Sequence, residues 1–238
     1  MANDEICAIV GVGPGLGGSL ARRFASEGHR VALMARRRNN VDPVGEAIEG
    51  AGGRALSISC DAGDPSSVSA AFTTVRSELG DPSVLIYNAG AFDVGEVLDI
   101  DPDTFERAWR ANCYGAFLAA KEVLPRMLER GRGTILLTGA TAARRGSAKF
   151  SAFAVGKFGL RALAQSLARE YGPRGVHTVH VVIDGQIDAP QSRRMFPDRG
   201  DEAFLAPGAI ADVYWNLHVQ HPTTWTMELD LRPSVEPF

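Results

Sequence analysis

Short apolar runs alternate with stretches in which apolar positions recur every three or four residues, and this alternation continues along the whole 238-residue chain. The runs predict buried strands, at 6–10, 31–34, 54–59, 84–87, 134–138, 176–183 and 225–231. The periodic stretches predict helices, beginning at Ser19 and ending before Gly28, then at 43–51, from Asp64 through Val68, Phe72 and Val75, at 101–130, 150–171 and 207–219. Asp101 followed by Pro102 has the form of an N-cap with proline in the first turn, and Gly131 stops the same helix. Six or seven strands separated by helices imply right-handed crossovers and a doubly wound parallel sheet in one α/β domain.

The first junction carries the most chemistry. The run ending at Val10 breaks into Gly11, Val12, Gly13, Pro14, Gly15, Leu16, Gly17 and Gly18, and a helix follows at once. Glycine tolerates positive φ and presents no Cβ to an approaching anion. The helix start then directs free N–H groups and a positive dipole end into the gap, a pyrophosphate cradle. The segment fits both Gly-x-Gly-x-x-Gly, from Gly13, and Gly-x-x-x-Gly-x-Gly, from Gly11. Ligands of such sheets bind beyond the carboxyl ends of the strands, where Arg36, Asp61, Asn88, Thr138 and Asp184 also fall.

Composition narrows the reading. The formal charge is −3 and charges of both signs are interspersed, which argues against nucleic acid or an anionic membrane as main partner. No long apolar run or basic-then-apolar leader appears, so neither export nor membrane insertion is expected. Cys7, Cys60 and Cys113 are odd in number and set among apolar residues, the usage of reduced core thiols in a cytoplasmic protein. His177 and His180 lie three apart on a strand and face opposite sides, so a shared metal is not expected. His218 and His221 read as a helix C-cap and a surface residue, and no metal site is expected.

Taken together, Gly11-x-x-x-Gly15-x-Gly17, Asp61, Asn88-Ala89-Gly90, Asn112 and Lys157 resemble the short-chain dehydrogenase/reductase family over nearly the whole chain. The resemblance implies a single Rossmann-type domain, a nicotinamide cofactor, a small-molecule substrate, and a homodimer or homotetramer built on helices 101–130 and 150–171. It implies that Gly11, Gly13, Pro14, Gly15, Leu16 and Gly17 cradle the pyrophosphate and that Asp61 and Ala62 hold the adenine. Asn88, Ala89 and Gly90 would lie beside its ribose, and Lys157 would grip the nicotinamide ribose. Thr138, Asp184, Gly185 and Ile187 would border the nicotinamide, and 189–207 would form a substrate lid. Where NAD binders end the second strand on a carboxylate, this chain has Ala35 followed by Arg36, Arg37 and Arg38. Guanidinium groups there would pair with a 2′-phosphate, which favours NADP over NAD; a solvated basic turn is the plainer reading.

The chain departs from the family at its chemistry. Where relatives carry Tyr-x-x-x-Lys it reads Phe153-Ala-Val-Gly-Lys157, and where they carry the preceding serine it reads Ala140. Phenylalanine has no ionisable proton and alanine no hydroxyl. Losing a positioned acid removes on the order of 10²- to 10⁴-fold in rate. Of the other polar residues, Thr138 and Thr141 are candidates to orient a substrate, and Asp184 and Asp188 to act as an acid or to cap the following loop. Arg144, Arg145 and Lys149 are candidates to attract an anion. Tyr114 is expected to turn away from the face used by Asn112. Two functions remain: an oxidoreductase with an unusual proton source, or an inactive NADP-binding sensor or scaffold.

Overall fold

The computed structural model describes residues 5–236. Its elements are β1 (Ile6–Val10), α1 (Leu16–Ser26), β2 (Arg30–Ala35), α2 (Asp42–Gly50), β3 (Arg54–Ser59), α3 (Pro65–Glu78) and β4 (Val84–Tyr87). They continue with α4 (Pro102–Trp109), α5 (Gly115–Arg130), β5 (Gly133–Thr138), α6 (Ser151–Tyr171), β6 (Val176–Ile183), β7 (Gln186–Ile187), α7 (Pro190–Met195), β8 (Phe204–Leu205), α8 (Pro207–His218) and β9 (Glu228–Leu231). Seven strands pair in parallel in the order β3-β2-β1-β4-β5-β6-β9. The order reverses direction between β1 and β4, which opens a crevice beyond their carboxyl ends.

Both faces of the sheet are covered, which is why the strands read as unbroken apolar runs. Alternate residues of β1 serve opposite cores: Ala8 and Val10 pack with Phe72, Met127 and Leu160 from α3, α5 and α6, whereas Cys7 and Ile9 pack with Phe24, Ile48 and Tyr214 from α1, α2 and α8. In register, Ala8 lies between Ala32 of β2 and Leu85 of β4. Cys7 and Cys60 are buried and Cys113 is half-buried, all free, and burial raises each thiol above its ordinary value.

Two expectations change, and the segment 189–207 gains detail. The helix predicted at 101–130 contains a wider π-helical stretch, Arg110–Tyr114, between α4 and α5. Two carbonyls within that stretch and just before it are engaged from the side: Asn112 Nδ2 donates to Ala108 O at 2.9 Å and Tyr87 Oη to Ala111 O at 2.7 Å. Apolar periodicity does not register such a turn. The last strand begins at Glu228, because the Trp225 ring stacks on His177 with centroids 4.6 Å apart and its indole N–H donates to Gln220 O. Finally, 189–207 is ordered by α7 and by the β7/β8 pair, with Arg193 donating to Asp188 at 2.7 and 3.0 Å, bonding Asp201 and lying 4.3 Å from the Phe204 ring centre. No helix among the described residues is long and apolar enough to cross a membrane.

Candidate active site

The glycines of the first turn divide into two kinds. Gly11 has φ +95°, and a Cβ there would lie 2.3 Å from Ala89 N; one on Gly17 would lie 2.6 Å from Gly11 O. These two let the β1 turn, the β4 turn and α1 pack together. Gly13 faces open space, and a Cβ on Gly15 would meet only the Ala189 side chain at 3.8 Å. They leave room for a ligand. Asn88 Nδ2 donates to Gly11 O at 2.9 Å and so fixes the turn from β4.

The start of α1 has Gly15 at its N-cap and no side-chain cap, whereas Asp64 caps α3 through Ser66 N and Ser67 N, and Asp101 caps α4 through Asp103 N. Uncapped N–H groups in a glycine-lined recess suit an anion. Nearby, Arg36 and Arg37 are exposed just past β2, and neither guanidinium has a partner among the described residues. Arg38 lies 3.6 Å from Asp42. Asp61 is exposed past β3, with Oδ1 accepting from Gly63 N at 2.9 Å, beside buried Ala62.

Deeper in, Lys157 and Asn112 meet beneath Gly90. A Cβ on Gly90 would lie 2.9 Å from Asn112 Oδ1 and 3.7 Å from Lys157 Nζ. Asn112 is fully buried; Nδ2 donates to Ala91 O at 2.7 Å and to Ala108 O, and Oδ1 has no partner. Lys157 Nζ donates to Thr138 O at 2.8 Å, and burial without a carboxylate lowers its pKa to about 8. An orphaned acceptor and an ammonium with two uncommitted protons fit the ribose and amide groups of a dinucleotide, as the open glycines fit its phosphates.

Apolar rings stand beside Lys157. Phe153 lies with its ring centre 5.8 Å from Lys157 Nζ and packs edge-on against Phe92 at 5.2 Å, and Phe92 also meets Phe150 at 5.7 Å. Sequence reasoning missed Phe92, whose only signal is its position two residues after Gly90. Ala140 follows β5 in extended conformation.

The proposed substitutes for the missing hydroxyls are committed elsewhere. Thr138 Oγ1 bonds Tyr214 Oη at 2.9 Å, and Thr141 Oγ1 donates to Asp184 Oδ1, which also holds Arg232. Both threonine hydroxyls are thus engaged within the fold. Asp188 is held below the usual carboxylate range by its hydrogen bonds from Arg193. Gly185 has φ +151° and Ile187 packs under α1 and α8. Arg144 pairs with Asp230 and Lys149 lies 3.2 Å from Glu96, leaving exposed Arg145 without an ion-pair partner among the described residues. Tyr114 does turn outward, stacking between Trp109 and Phe117.

The model of the short chain dehydrogenase family matches residues 5–200. A short-chain dehydrogenase/reductase of Armillaria gallica is 31% identical over 193 residues, 80% of this chain and 74% of that one. Among solved structures, a short-chain dehydrogenase from Rhodopseudomonas palustris is 35% identical with TM-score 0.85, covering 97% of this chain and 99% of that one. A metagenomic short-chain oxidoreductase in complex with NADP is 26% identical with TM-score 0.84, covering 99% of both chains. The single parallel sheet, the glycine turn of β1 and these likenesses lead to one conclusion: the chain belongs to the short-chain dehydrogenase/reductase family, whose members are oxidoreductases that bind a nicotinamide cofactor.

Proposed function

We propose that this protein is an NADP(H)-dependent oxidoreductase that reduces a small activated acceptor, such as an enone or quinone, without the family's phenolic acid. The observation carrying this reading is the combination of an uncapped, glycine-lined helix start with the buried Lys157 and Asn112 beneath Gly90. When bound, the cofactor supplies the hydride. Gly11 to Gly17 hold its pyrophosphate, Asp61 and Ala62 its adenine, Asn88, Ala89 and Gly90 the adjoining ribose, and Arg36 and Arg37 its 2′-phosphate. Lys157 grips the nicotinamide ribose, while Thr138 O fixes the lysine and Asp184, Gly185 and Ile187 border the ring. The NADP complex of the metagenomic relative supports the phosphorylated cofactor.

Phe92, Phe150 and Phe153 form an apolar ring cluster beside the lysine. Lys157 Nζ lies 5.8 Å from the Phe153 ring centre and carries an ionisable proton. A pKa of about 8 suits a general acid near neutrality, reaching the acceptor directly or through one water. Because the protonated form is required, reduction falls as pH rises through about 8. The apolar Phe105, Phe117, Val155 and Phe158 are exposed on α4, α5 and α6 and support a homodimer or homotetramer through those helices.

The engagement of the Thr138 and Thr141 hydroxyls by Tyr214 and Asp184 favours a second reading, an NADP-binding sensor or scaffold. Titration with NADPH and NADH followed by a panel of ketone, enone and quinone acceptors separates the two. Tight NADPH binding with turnover of an activated acceptor is expected. Tight binding without oxidation by any acceptor sinks the enzymatic reading, and no binding sinks both.

A further inference from the structure

At the opposite, amino-terminal end of the sheet, three side chains from distant parts of the chain converge. Glu5 immediately precedes β1, His29 immediately precedes β2 and His218 ends α8. One potential ligand atom from each lies within 4.8 Å of the other two. His29 is only 2% exposed, yet neither ring nitrogen has a hydrogen-bond partner, and Nε2 lies 3.7 Å from Glu5 Oε2. A buried imidazole with both nitrogens unsatisfied is rare in a folded protein unless something further binds it.

The surroundings orient the other two. His218 Nδ1 is 3.0 Å from Thr134 Oγ1; with the proton on Nδ1, its Nε2 is left as a donor atom toward the cluster. Glu5 Oε1 accepts from Arg132 Nη1 at 2.8 Å, and Oε2, which also accepts from Ser83 at 3.1 Å, is the oxygen nearest His29. Glu5 and His218 line a cavity of about 230 Å³ together with His177, whose Nδ1 is likewise buried and unpartnered. The cavity gives an entry path and room for a water ligand.

We propose that Glu5, His29 and His218 form a binding site for a divalent transition-metal ion of the zinc class. Two imidazoles and one carboxylate with an open fourth position match the nitrogen and oxygen donors that zinc accepts. Bonds of about 2.0–2.2 Å require the three atoms to draw together from their present spacing. The ion ties the entries of β1 and β2 to the end of α8, at the end of the sheet away from the glycine turn.

The test uses the full-length protein stripped with a chelator and desalted. Calorimetric titration with Zn²⁺ is expected to show one ion per chain, and a hundredfold excess over Kd is expected to raise Tm by about 5 °C or more. Co²⁺ is expected to give visible d–d absorption without a thiolate charge-transfer band, which separates this site from Cys7, Cys60 and Cys113. Glu5→Gln and His218→Gln should each weaken Zn²⁺ at least about tenfold, and Thr134→Val, which keeps the strand's shape, by about tenfold. The rim substitution Glu5→Gln and the conservative Thr134→Val keep the test valid should a His29 variant fail to fold. No stoichiometric binding, a thiolate band, displacement by millimolar Mg²⁺, or undiminished affinity in both Glu5→Gln and His218→Gln overturns the proposal.

Discussion

The two ends of the sheet solve opposite problems with the same strands. At the carboxyl ends, side chains are withheld: Gly13 and Gly15 face open space, α1 has no side-chain cap, and Ala140 and Phe153 bring no hydroxyl. At the amino ends, side chains crowd together, with His29, His218, Phe24 and Trp215 in mutual edge and tilted ring contacts beside Glu5. One end is shaped for something arriving, the other for staying folded. Substitutions at the first should therefore mainly change chemistry and cofactor binding, and at the second stability and the binding of Zn²⁺.

The largest effect should come from restoring the missing groups. Ala140→Ser combined with Phe153→Tyr is expected to raise ketone reduction by NADPH about 10²- to 10⁴-fold with little change in Tm. An unchanged rate would show that the carboxyl end differs from its relatives by more than two side chains. Next, Gly17→Val should destabilise the fold by about 3 kcal/mol or more, because even its Cβ meets Gly11 O at 2.6 Å. Gly13→Ala should leave chemical denaturation unaltered while weakening NADPH, and equal losses of stability in both variants would erase the division between the two kinds of glycine.

Lys157 is the exception that sharpens the contrast, since it is a buried charge at the end built for binding. Its folded value of about 8 lies below the ordinary lysine value of 10.5, so the unfolded chain binds more protons between these values and wild-type stability rises with pH across that window. Lys157→Met is expected to stabilise the cofactor-free protein by about 1–2 kcal/mol below pH 8, after the loss of its bond to Thr138 O, and to weaken NADPH. Urea denaturation at pH 7 and pH 10 checks this; the advantage should shrink at the higher pH.

At the amino end, His218 lies at about 4 against 6.5 unfolded, and burial lowers His177 as well. The unfolded chain binds more protons there, so stability should fall as pH drops from about 6.5 toward 4. His218→Gln should flatten that fall by about 1–2 kcal/mol in melts across the range. The smallest effect is expected from Arg36→Ala, which should lower the preference for NADPH over NADH about tenfold, as read from paired titrations.

The sheet and the phosphate turn are legible because each is written locally: apolar runs mark β1 to β6, and the glycines stand together between Val10 and Ser19. Lys157 and Asn112 are legible through family spacing. The destinations of the hydroxyls of Thr138 and Thr141 are not, because Tyr214 and Asp184 reach them from 76 and 43 residues away. Nor is the convergence of Glu5, His29 and His218, which share no periodicity and meet only through the order of the strands. The expectation that His218 caps a helix came from its place at the end of α8; packing against Phe24 and His29 decides its role.

The π-helical stretch Arg110–Tyr114 carries a last consequence, for descent and for editing of the gene. Such a turn holds one residue more than an ordinary α-turn. A relative with one residue fewer between Trp109 and Gly115 would run straight through, and its downstream helix would be turned by about 100° relative to the upstream one. Asn112 and Gly115 would then no longer face Gly90 and Tyr87 together. Single-residue deletions at 110–114 are thus predicted to be tolerated far less well than substitutions at exposed positions of α5, a length requirement that a deletion scan would read directly.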